Sequence, residues 1–304
     1  MRTSEPHRRM TDASIKRGGL RARAAPIGAV AIAMVSVQVG ASVAKGLFPE
    51  VGPLGATALR VGLAALMMLA LWRPWRTPLP KQRWPILAYG AVLGAMNLVF
   101  YQALARIPLG IAVAVEFTGP LTLALLGSRK ALDFLWIGLA VAGLALLLPF
   151  GPLASHLDPF GVVLALVAGV CWALYIVFGQ KAGAGGQGQA AGFGMVVAAL
   201  VVLPFGAAQA AHGIAMAGVA PKALLVALLT SVIPYSLEML AMARLPARVF
   251  GVLMSAEPAV GAVSGFLILG ERLSAFQCVA VVLIIAASAG VVATHRPSEA
   301  VPEV

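Results

Sequence analysis

Five ionisable side chains lie inside or at the edge of long apolar stretches of this sequence. They are Lys45, Arg60, Glu116, Glu238 and Glu257. A charge at the centre of a lipid bilayer costs about 3 kcal/mol, so such a residue normally faces a polar cavity or a partner of opposite charge. Two positive and three negative groups sum to −1, which one protonated glutamate would balance. The set therefore predicts a buried polar site in which one glutamate is a candidate proton carrier.

Each of the three glutamates lies close to a proline that should interrupt a helix. Pro120 stands four residues after Glu116 and cannot donate a hydrogen bond to the Glu116 carbonyl. Pro234 stands four residues before Glu238, and another proline follows Glu257 directly. Interrupted helices are tolerated at membrane depth only where protein or a wet cavity covers the exposed backbone. Carboxylate, freed carbonyl and kink together predict a polar pocket.

Other polar and aromatic side chains at the same depth could complete this pocket. Amides can hold the amine or carboxylate of a zwitterion, and Tyr and Trp rings can form its walls. The candidates beyond the charged set are Gln38, Asn97, Tyr101, Trp172, Tyr175 and Tyr235. Structural roles stay open, because Lys45 and Arg60 could snorkel to the membrane surface. Glu238 could pair with Arg244, and the uncharged residues could simply hold helices together.

The composition places these residues in a membrane protein. Of the 304 residues, 61% are hydrophobic and only 11% are charged, against about a quarter charged in a soluble domain. A membrane-spanning helix needs about 20 apolar residues. Loop signals of proline, glycine and charge divide the chain into ten candidate helices, at 26–48, 55–72, 85–105, 108–127, 133–150, 159–179, 188–208, 222–242, 246–269 and 273–293. The predicted fold class is an all-α polytopic membrane protein with ten transmembrane helices.

The distribution of basic residues predicts the orientation. With the amino terminus inside, the inner loops and tails carry 17 Lys and Arg, and the outer loops carry 4. Cytoplasmic loops of membrane proteins are enriched in these residues, so both termini are expected in the cytoplasm. Residues 1–25 hold seven basic residues against two acidic ones, which is typical of a tail beside an anionic lipid surface.

The two halves of the chain echo each other. Arg106-Ile-Pro recurs as Arg244-Leu-Pro 138 residues later, and the same offset places Pro120 on Pro258. Each half has five predicted helices, an odd number, so the second half enters the membrane inverted. Inverted repeats are common in secondary transporters, with the site near the midplane between the halves. The predicted units are a basic tail at 1–25, a five-helix repeat at 26–150, an inverted five-helix repeat at 151–293 and a tail at 294–304.

Several function classes find no support in the sequence. No Ser–His pair or His-Glu-x-x-His motif stands at membrane depth, and no GxxxxGK[ST] loop indicates ATP hydrolysis. Cys171 and Cys278 lie in apolar stretches, which disfavours a disulfide or a metal site. Of the net charge of +11, the tail at 1–25 contributes +5, and no folded basic face for nucleic acid follows it. We therefore expect a transporter rather than an enzyme, without a cofactor or metal.

Three stretches resemble a known group of transporters. They are Gln38-Val-Gly-Ala-Ser-Val-Ala-Lys45-Gly-Leu-Phe-Pro49, then Arg106-Ile-Pro-Leu-Gly-Ile-Ala-Val-Ala-Val-Glu116-Phe-Thr-Gly-Pro120, then Pro234-Tyr-Ser-Leu-Glu238 running on to Ala256-Glu257-Pro258. With the ten-helix plan, they look similar to the inner-membrane threonine/homoserine exporters of the EamA branch of the drug/metabolite transporter superfamily. The resemblance covers nearly all of 26–293. The segment around Glu116 is fairly specific to that group, whereas Glu257-Pro258 followed by Leu269-Gly270-Glu271-Arg272-Leu273 is general to the superfamily.

The resemblance implies efflux of small hydrophilic amino acids, threonine and homoserine first, from cytoplasm to periplasm across the bacterial inner membrane. We expect a monomer whose central cavity between the repeats is lined by predicted helices one, three, four, six, eight and nine. Lys45 or Arg60 would bind the substrate carboxylate, and Glu116 or Glu257 its α-amine. One of Glu116, Glu238 and Glu257 would bind and release a proton as the cavity switches sides, which predicts proton antiport.

Two other functions stay open at this point. The carrier could export another amino acid, a metabolite such as a nucleobase, or a cationic drug, since buried glutamates suit cations. Lys45 and Arg60 favour a substrate that also has a carboxylate. From a different class, the chain could be a passive channel, whose flux would not saturate, or a membrane subunit without transport of its own.

Overall fold

The computed structural model is built from α-helices. It describes residues 25–40, 43–44, 47–78, 83–107, 109–126, 131–147, 158–216, 218–254, 256–260, 263 and 275–294. No β-strand occurs among these residues, and five of their helices are long and apolar enough to cross a membrane. The predicted tails at 1–25 and 294–304 lie outside this set except for Ala25 and Thr294. The all-helical membrane class is confirmed at this level.

The helices follow one another in the order that the apolar stretches predict. The first six are α1 (Ala25–Gly40), α2 (Phe48–Trp72), α3 (Trp84–Leu104), α4 (Leu109–Glu116), α5 (Thr118–Leu126) and α6 (Ala131–Leu147). The next six are α7 (Pro159–Gly185), α8 (Gln187–Ile214), α9 (Val219–Ala227), α10 (Ile233–Met242), α11 (Ala247–Met254) and α12 (Ala275–Thr294). A π-helical turn, Leu228–Val232, joins α9 to α10 without a loop.

α2 begins earlier than the sequence pattern predicts. Pro49–Gly52 has the composition of a loop, yet the chain is already helical from Phe48, and a kink replaces the loop. At the kink Gly52 has φ 67°, a conformation that favours glycine. The Gly55 amide donates to Gln209 Oε1 of α8 at 3.0 Å. This hydrogen bond ties the kinked end of α2 to its neighbour.

Small residues allow the central helices to pack closely. α2 packs most extensively on α8, α3 on α7 and α8, and α6 on α12. Gly90 of α3 lies directly against the Gly194 carbonyl of α8, and a Cβ at Gly94 would lie 2.8 Å from the Ala198 carbonyl oxygen. Glycines one turn apart are typical of close helix contacts in membranes. They allow α3 and α8 to approach each other closely.

The outward faces of the helices are apolar. Along α7, Phe160, Val163, Val167, Val170 and Leu174 follow one side of the helix and are all exposed. The polar residues Arg60, Asn97, Glu116, Glu238 and Glu257 are instead buried. This inside-out distribution of polarity is the one expected when lipid surrounds the protein.

Candidate substrate site

A cavity of about 390 Å³ lies between α2, α3, α4, α7 and α10. Its wall combines aromatic rings with charged and polar side chains that are at most 8% exposed. The polar part of the wall includes Arg60, Asn97, Glu116, Tyr175, Glu238 and Glu257. The cavity therefore collects buried ionisable groups from both halves of the chain.

Arg60 projects from α2 into this cavity. Its Cζ lies 4.7 Å from the centroid of the Tyr101 ring, and the side chain is only 6% exposed. Two of its nitrogens, Nε and Nη2, are buried without a hydrogen-bond partner among the described residues. The face of an aromatic ring attracts a cation, but it leaves the N–H groups of the guanidinium unused. Arg60 is thus placed to bind an anionic group that enters the cavity.

Glu116 lies at the interruption that Pro120 predicts. α4 ends at Glu116, and α5 begins at Thr118. A Cβ at Gly169 of α7 would lie 2.6 Å from the Glu116 carbonyl oxygen, so this carbonyl packs on bare backbone. The Glu116 side chain interacts electrostatically with Arg60 and with Glu257. The Glu116 carboxyl group, at this interruption, therefore lies in the same cavity as the Arg60 guanidinium.

Glu257 directly follows Ala256, which is in a turn. α11 ends at Met254, residue 255 is not described, and helix resumes at 257–260. Glu257 is 8% exposed, and its Oε2 is buried without a hydrogen-bond partner among the described residues. A buried carboxylate oxygen without a donor is unfavourable. This oxygen is therefore available to a donor on a bound solute.

Glu238 has a different setting, within an unbroken helix. Tyr175 of α7 donates a hydrogen bond from its hydroxyl to Glu238 Oε2 at 2.8 Å. The predicted interruption at Pro234 takes the form of the π turn, in which the Ile233 amide donates to the Leu228 carbonyl. Because proline has no N–H, the preceding turn widens by one residue and the helix then continues. Glu238 accordingly stands on α10 with a protein partner already in place.

A second hydrogen-bonded pair crosses the cavity between α3 and α10. Asn97 Nδ2 donates to the Tyr235 hydroxyl at 3.1 Å, and that hydroxyl can donate in return to Asn97 Oδ1 at 3.2 Å. Asn97 Nδ2 also donates to the Leu93 carbonyl at 2.8 Å. The ring centroids of Tyr175 and Tyr235 lie 6.0 Å apart. These contacts fix the aromatic side of the cavity.

The structure brings nine of the predicted site residues to one cavity. They are Arg60, Asn97, Tyr101, Glu116, Trp172, Tyr175, Tyr235, Glu238 and Glu257. Gln38 is half-buried on α1 and is not among the described lining residues, and Lys45 lies outside the described residues. Their roles in binding or proton transfer stay predictions.

Two structural alternatives are wrong, and the expected set of lining helices was incomplete. Arg60 does not snorkel to the surface, because it is 6% exposed and turns onto Tyr101. Glu238 bonds to Tyr175, whereas Arg244 is exposed. The predicted lining also omitted α2, which supplies Arg60.

Some lining residues carried little or no signal in the sequence. Phe48, Met96 and Phe100 are apolar residues in a chain that is 61% hydrophobic, so their type does not distinguish them. Phe48 packs edge-on against Tyr101 with ring centroids 5.5 Å apart. For Thr230, the one signal is its position four residues before Pro234. Three-dimensional packing alone identifies the apolar walls.

Comparison with known proteins adds a family to this geometry. A model described as the EamA-like transporter family matches residues 159–293. The threonine/homoserine exporter RhtA of Escherichia coli (strain K12) is 50% identical over 279 residues, which cover 91% of this chain and 95% of that protein. RhtA of Salmonella typhimurium (strain LT2) is 50% identical over 280 residues, which cover 92% and 95% of the two chains.

A solved structure shares the fold. It is described only as the crystal structure of a protein, and it matches with a TM-score of 0.66 at 21% identity. The match covers 87% of this chain and 97% of that one. Because it extends over nearly the whole of the solved chain, the described helices belong to one arrangement rather than to two unrelated parts.

Proposed function

The chain belongs to the family of the RhtA exporters, which are transporters and not enzymes, and from this premise we propose that it exports threonine and homoserine from the cytoplasm. Membrane embedding and a small-molecule substrate follow from the family and from the apolar helices. The substrate is proposed by similarity and by the chemistry of the cavity.

The observation that carries this proposal is that a guanidinium and a carboxyl group in one cavity both have buried polar atoms available to a solute. Within the described part of the chain, Arg60 has two buried nitrogens and Glu257 one buried oxygen without a hydrogen-bond partner. A guanidinium binds a carboxylate through two parallel hydrogen bonds. A free carboxylate binds an ammonium group, and Glu116 interacts electrostatically with both Arg60 and Glu257. A zwitterionic amino acid satisfies both ends of this arrangement, which a cationic drug does not.

We assign the architecture to ten transmembrane helices in two inverted repeats, at 26–150 and 151–293. The pairs α2–α8 and α6–α12 support this assignment, because in each pair a helix of one half contacts its counterpart in the other half. α5 and α11, which belong to predicted helices four and nine, also contact each other. Asn97 and Tyr235 are 138 residues apart, the offset that relates Arg106 to Arg244. They bond to each other, as two equivalent positions on a pseudo-two-fold axis should.

We place both termini in the cytoplasm of a bacterial inner membrane. The excess of 17 over 4 basic residues on one side supports this orientation. The basic connection between α2 and α3 contains Arg73, Arg76, Lys81 and Arg83. Trp75 and Trp84 lie near its two ends and are 60% and 71% exposed. Exposed tryptophans beside basic loops are typical of the membrane interface. The tail at 1–25 would then lie beside anionic lipid.

Proton antiport is the mechanism that we assign to this carrier. The described ionisable groups of the cavity are one guanidinium and three carboxyl groups. A zwitterion adds no net charge, so a proton on one carboxyl group lowers the cost of burial. We propose a monomer as the functional unit.

Transport by the purified protein in proteoliposomes tests this function. We expect saturable counterflow of labelled threonine and homoserine, and faster efflux when the receiving side is acidic. Protein-free liposomes give the background. Flux that rises linearly with substrate concentration would indicate a channel, and absence of flux for both amino acids would reject the proposed substrates. Saturable efflux that ignores the pH gradient would keep the substrate and remove the proton coupling.

A further inference from the structure

The described residues that line the cavity lie toward one end of α3. The α3 residues that line the cavity lie in the second half of that helix, between 96 and 104. In the first half of α3, Tyr89 and Leu93 are 0% exposed and are not part of the lining. In the proposed orientation α3 starts at the cytoplasmic side. The cavity therefore reaches toward the periplasm and ends in packed protein on the cytoplasmic side.

The closed end contains a tight contact between α7 and α10. A Cβ at Gly179 would lie 2.7 Å from the Met242 sulfur, and a Cβ at Gly183 would lie 3.1 Å from the Met239 sulfur. All four residues are buried. We call this contact the α7–α10 seam. At this contact no space for an amino acid remains between the two helices.

The hydrogen bond between Tyr175 and Glu238 lies one helical turn from this seam, on its cavity side. Tyr175 precedes Gly179 by four residues on α7, and Glu238 precedes Met242 by four residues on α10. Residues four apart share one face of a helix. The bond from the Tyr175 hydroxyl to Glu238 Oε2 at 2.8 Å therefore joins the same two helix faces as the seam. Tyr89 packs on Tyr175 from α3, with ring centroids 5.2 Å apart.

Glu238 also differs from the carboxyl group that is open to a solute. Glu257 has a buried oxygen without a described partner, whereas Glu238 already accepts a hydrogen bond from the protein. Both line the cavity, so a proton that enters from the periplasm has access to either. Of these two carboxyl groups, Glu238 is the one with a hydrogen bond across the α7–α10 contact, which Gln180 of α7 also spans by donating to the Leu245 carbonyl at 2.7 Å.

We infer that Glu238 is the coupling carboxyl group of this exporter, and that Tyr175 positions it so that its protonation loosens the α7–α10 seam, which is the cytoplasmic gate. The inference rests on the proposed proton antiport. It assigns the substrate to Arg60 and Glu257, and the proton to Glu238.

The direction of coupling agrees with export. A hydrogen bond to a carboxylate is about twice as strong as one between neutral groups. A proton from the periplasm binds the Glu238 carboxylate and weakens the bond from Tyr175, so that the seam can open to the cytoplasm. The proton then leaves to the cytoplasm and an amino acid enters. With Glu238 charged again, the seam closes behind the substrate.

None of the described groups that interact electrostatically with Glu238 is a cation, and Arg60, which lines the same cavity, interacts with Glu116 and Tyr235 instead. The titratable groups that interact with it are Tyr89, Tyr175, Tyr235 and Glu257. α8 also packs on α10, and its one titratable residue, His212, is exposed. The described neighbours are thus phenols and one carboxyl group, which leaves Glu238 free to exchange a proton.

A reversible cross-link tests the gate. A Cβ at Gly183 would lie 3.4 Å from the Ala243 Cβ, close to the separation of about 3.5–4.5 Å in a disulfide. We propose Gly183→Cys with Ala243→Cys in a chain that carries Cys171→Ser and Cys278→Ser. Oxidation is expected to reduce threonine counterflow to roughly a tenth or less, because both gates must alternate. Reductant should restore it, and each single cysteine is a control. Full counterflow in the oxidised protein would overturn the inference.

Substitution of the two carboxyl groups tests the division of roles. Glu238→Gln should lose the acceleration of efflux by a pH gradient, with the half-saturating substrate concentration changed by less than about twofold. Glu257→Gln should raise that concentration roughly tenfold and keep the response to the gradient. A Glu238→Gln protein that still responds to the gradient would overturn the assignment. So would loss of the response in Glu257→Gln alone.

Labelling without substrate separates this inference from the proposed function. Met242→Cys, in the chain without Cys171 and Cys278, is probed from the cytoplasmic side of inverted vesicles with an impermeant maleimide. Labelling should be faster when the vesicle lumen is acidic, and Glu238→Gln should remove the difference. This result would stand even if neither amino acid were transported. Labelling that ignores luminal pH would reject the gate even if threonine export were found.

Discussion

Two groups of polar side chains share the cavity and differ in how their polar atoms are satisfied. The ionic cluster consists of Arg60, Glu116 and Glu257, and the hydrogen-bonded cluster consists of Asn97, Tyr175, Tyr235 and Glu238. In the ionic cluster Arg60 and Glu257 keep buried atoms without described partners. In the hydrogen-bonded cluster, side chains bond to one another between α3, α7 and α10. Polar atoms without a partner suit reversible binding of a solute, whereas hydrogen-bonded pairs suit a stable contact between helices.

The backbone under the two clusters differs in the same way. Glu116 ends a helix, and Glu257 directly follows Ala256, which is in a turn. Glu238 stands in continuous helix after a π turn. All three have a proline nearby, but the result depends on the side of the glutamate on which the proline stands. Pro120 follows Glu116 and leaves the Glu116 carbonyl without its helical hydrogen bond. Pro234 precedes Glu238, so it disturbs only the turn before Glu238.

Loss of the guanidinium of the ionic cluster should have the largest effect. We expect Arg60→Met to reduce saturable threonine transport roughly a hundredfold or more, because a buried substrate carboxylate would lose its charged partner. Arg60→Lys keeps the charge without the fork and should recover part of the loss. Initial rates of counterflow over a range of substrate concentrations measure both.

The matched control is an arginine outside the cavity. Arg106 is exposed, where it pairs with Asp158 at 3.7 Å and lies over the Phe160 ring. Because exposed ion pairs contribute little, Arg106→Met should transport at a rate close to that of the unaltered protein. Equal losses in the two variants would mean that Arg60 supports the fold and does not bind substrate.

The carboxyl side of the ionic cluster should have the next largest effect. Glu116→Gln removes charge from the binding region, and we expect the half-saturating concentration of threonine to rise roughly tenfold. Acceleration by a pH gradient should persist, since we assign coupling to the other cluster. Glu50→Gln is the control, because Glu50 pairs with Lys222 at 2.7 Å away from the cavity lining. Loss of the gradient response in Glu116→Gln would move the coupling role into the ionic cluster.

The sequence predicts the ionic cluster better than the walls around it. A charge in an apolar stretch stands out because its burial is costly, so Arg60, Glu116 and Glu257 could be selected without any structure. Prolines near them also predict interruptions, and α4 and α5 confirm the one at Pro120. Phe48 and Phe100 could not be selected, since apolar residues face lipid and cavity alike.

The hydrogen bonds of the hydrogen-bonded cluster could not be predicted from the sequence, because their partners lie far apart along the chain. Tyr175 and Glu238 are 63 residues apart, and Asn97 and Tyr235 are 138 apart. Residue type allows many partners for each of them, and only the packing of α3, α7 and α10 selects one. The form of the interruption at Pro234 was equally hidden, because a kink and a π turn both accommodate a missing N–H.

Backbone contact at the ionic cluster can be tested with one methyl group. Gly119 of α5 lies directly against the Gly169 carbonyl of α7, so Gly119→Ala must push the two helices apart. Overpacking of this kind costs about 1–3 kcal/mol, and we expect the unfolding midpoint in detergent to fall by about 5 °C. Gly138→Ala is the control, because a Cβ there has nothing within 4 Å. An equal midpoint for both alanine variants would show that the α5–α7 contact yields easily.

The smallest expected effect concerns the pair that crosses the proposed two-fold axis. Tyr235→Phe removes the hydroxyl that bonds Asn97, while Asn97 keeps its bond to the Leu93 carbonyl. A single neutral hydrogen bond contributes about 1 kcal/mol, so counterflow should fall by about fivefold or less, with the pH response retained. Thr122→Val is the control, since its exposed hydroxyl bonds only within its own helix, to the Thr118 carbonyl at 2.7 Å. A loss as large as that of Arg60→Met would place Tyr235 among the substrate-binding groups, and the line between the two clusters would have to be redrawn.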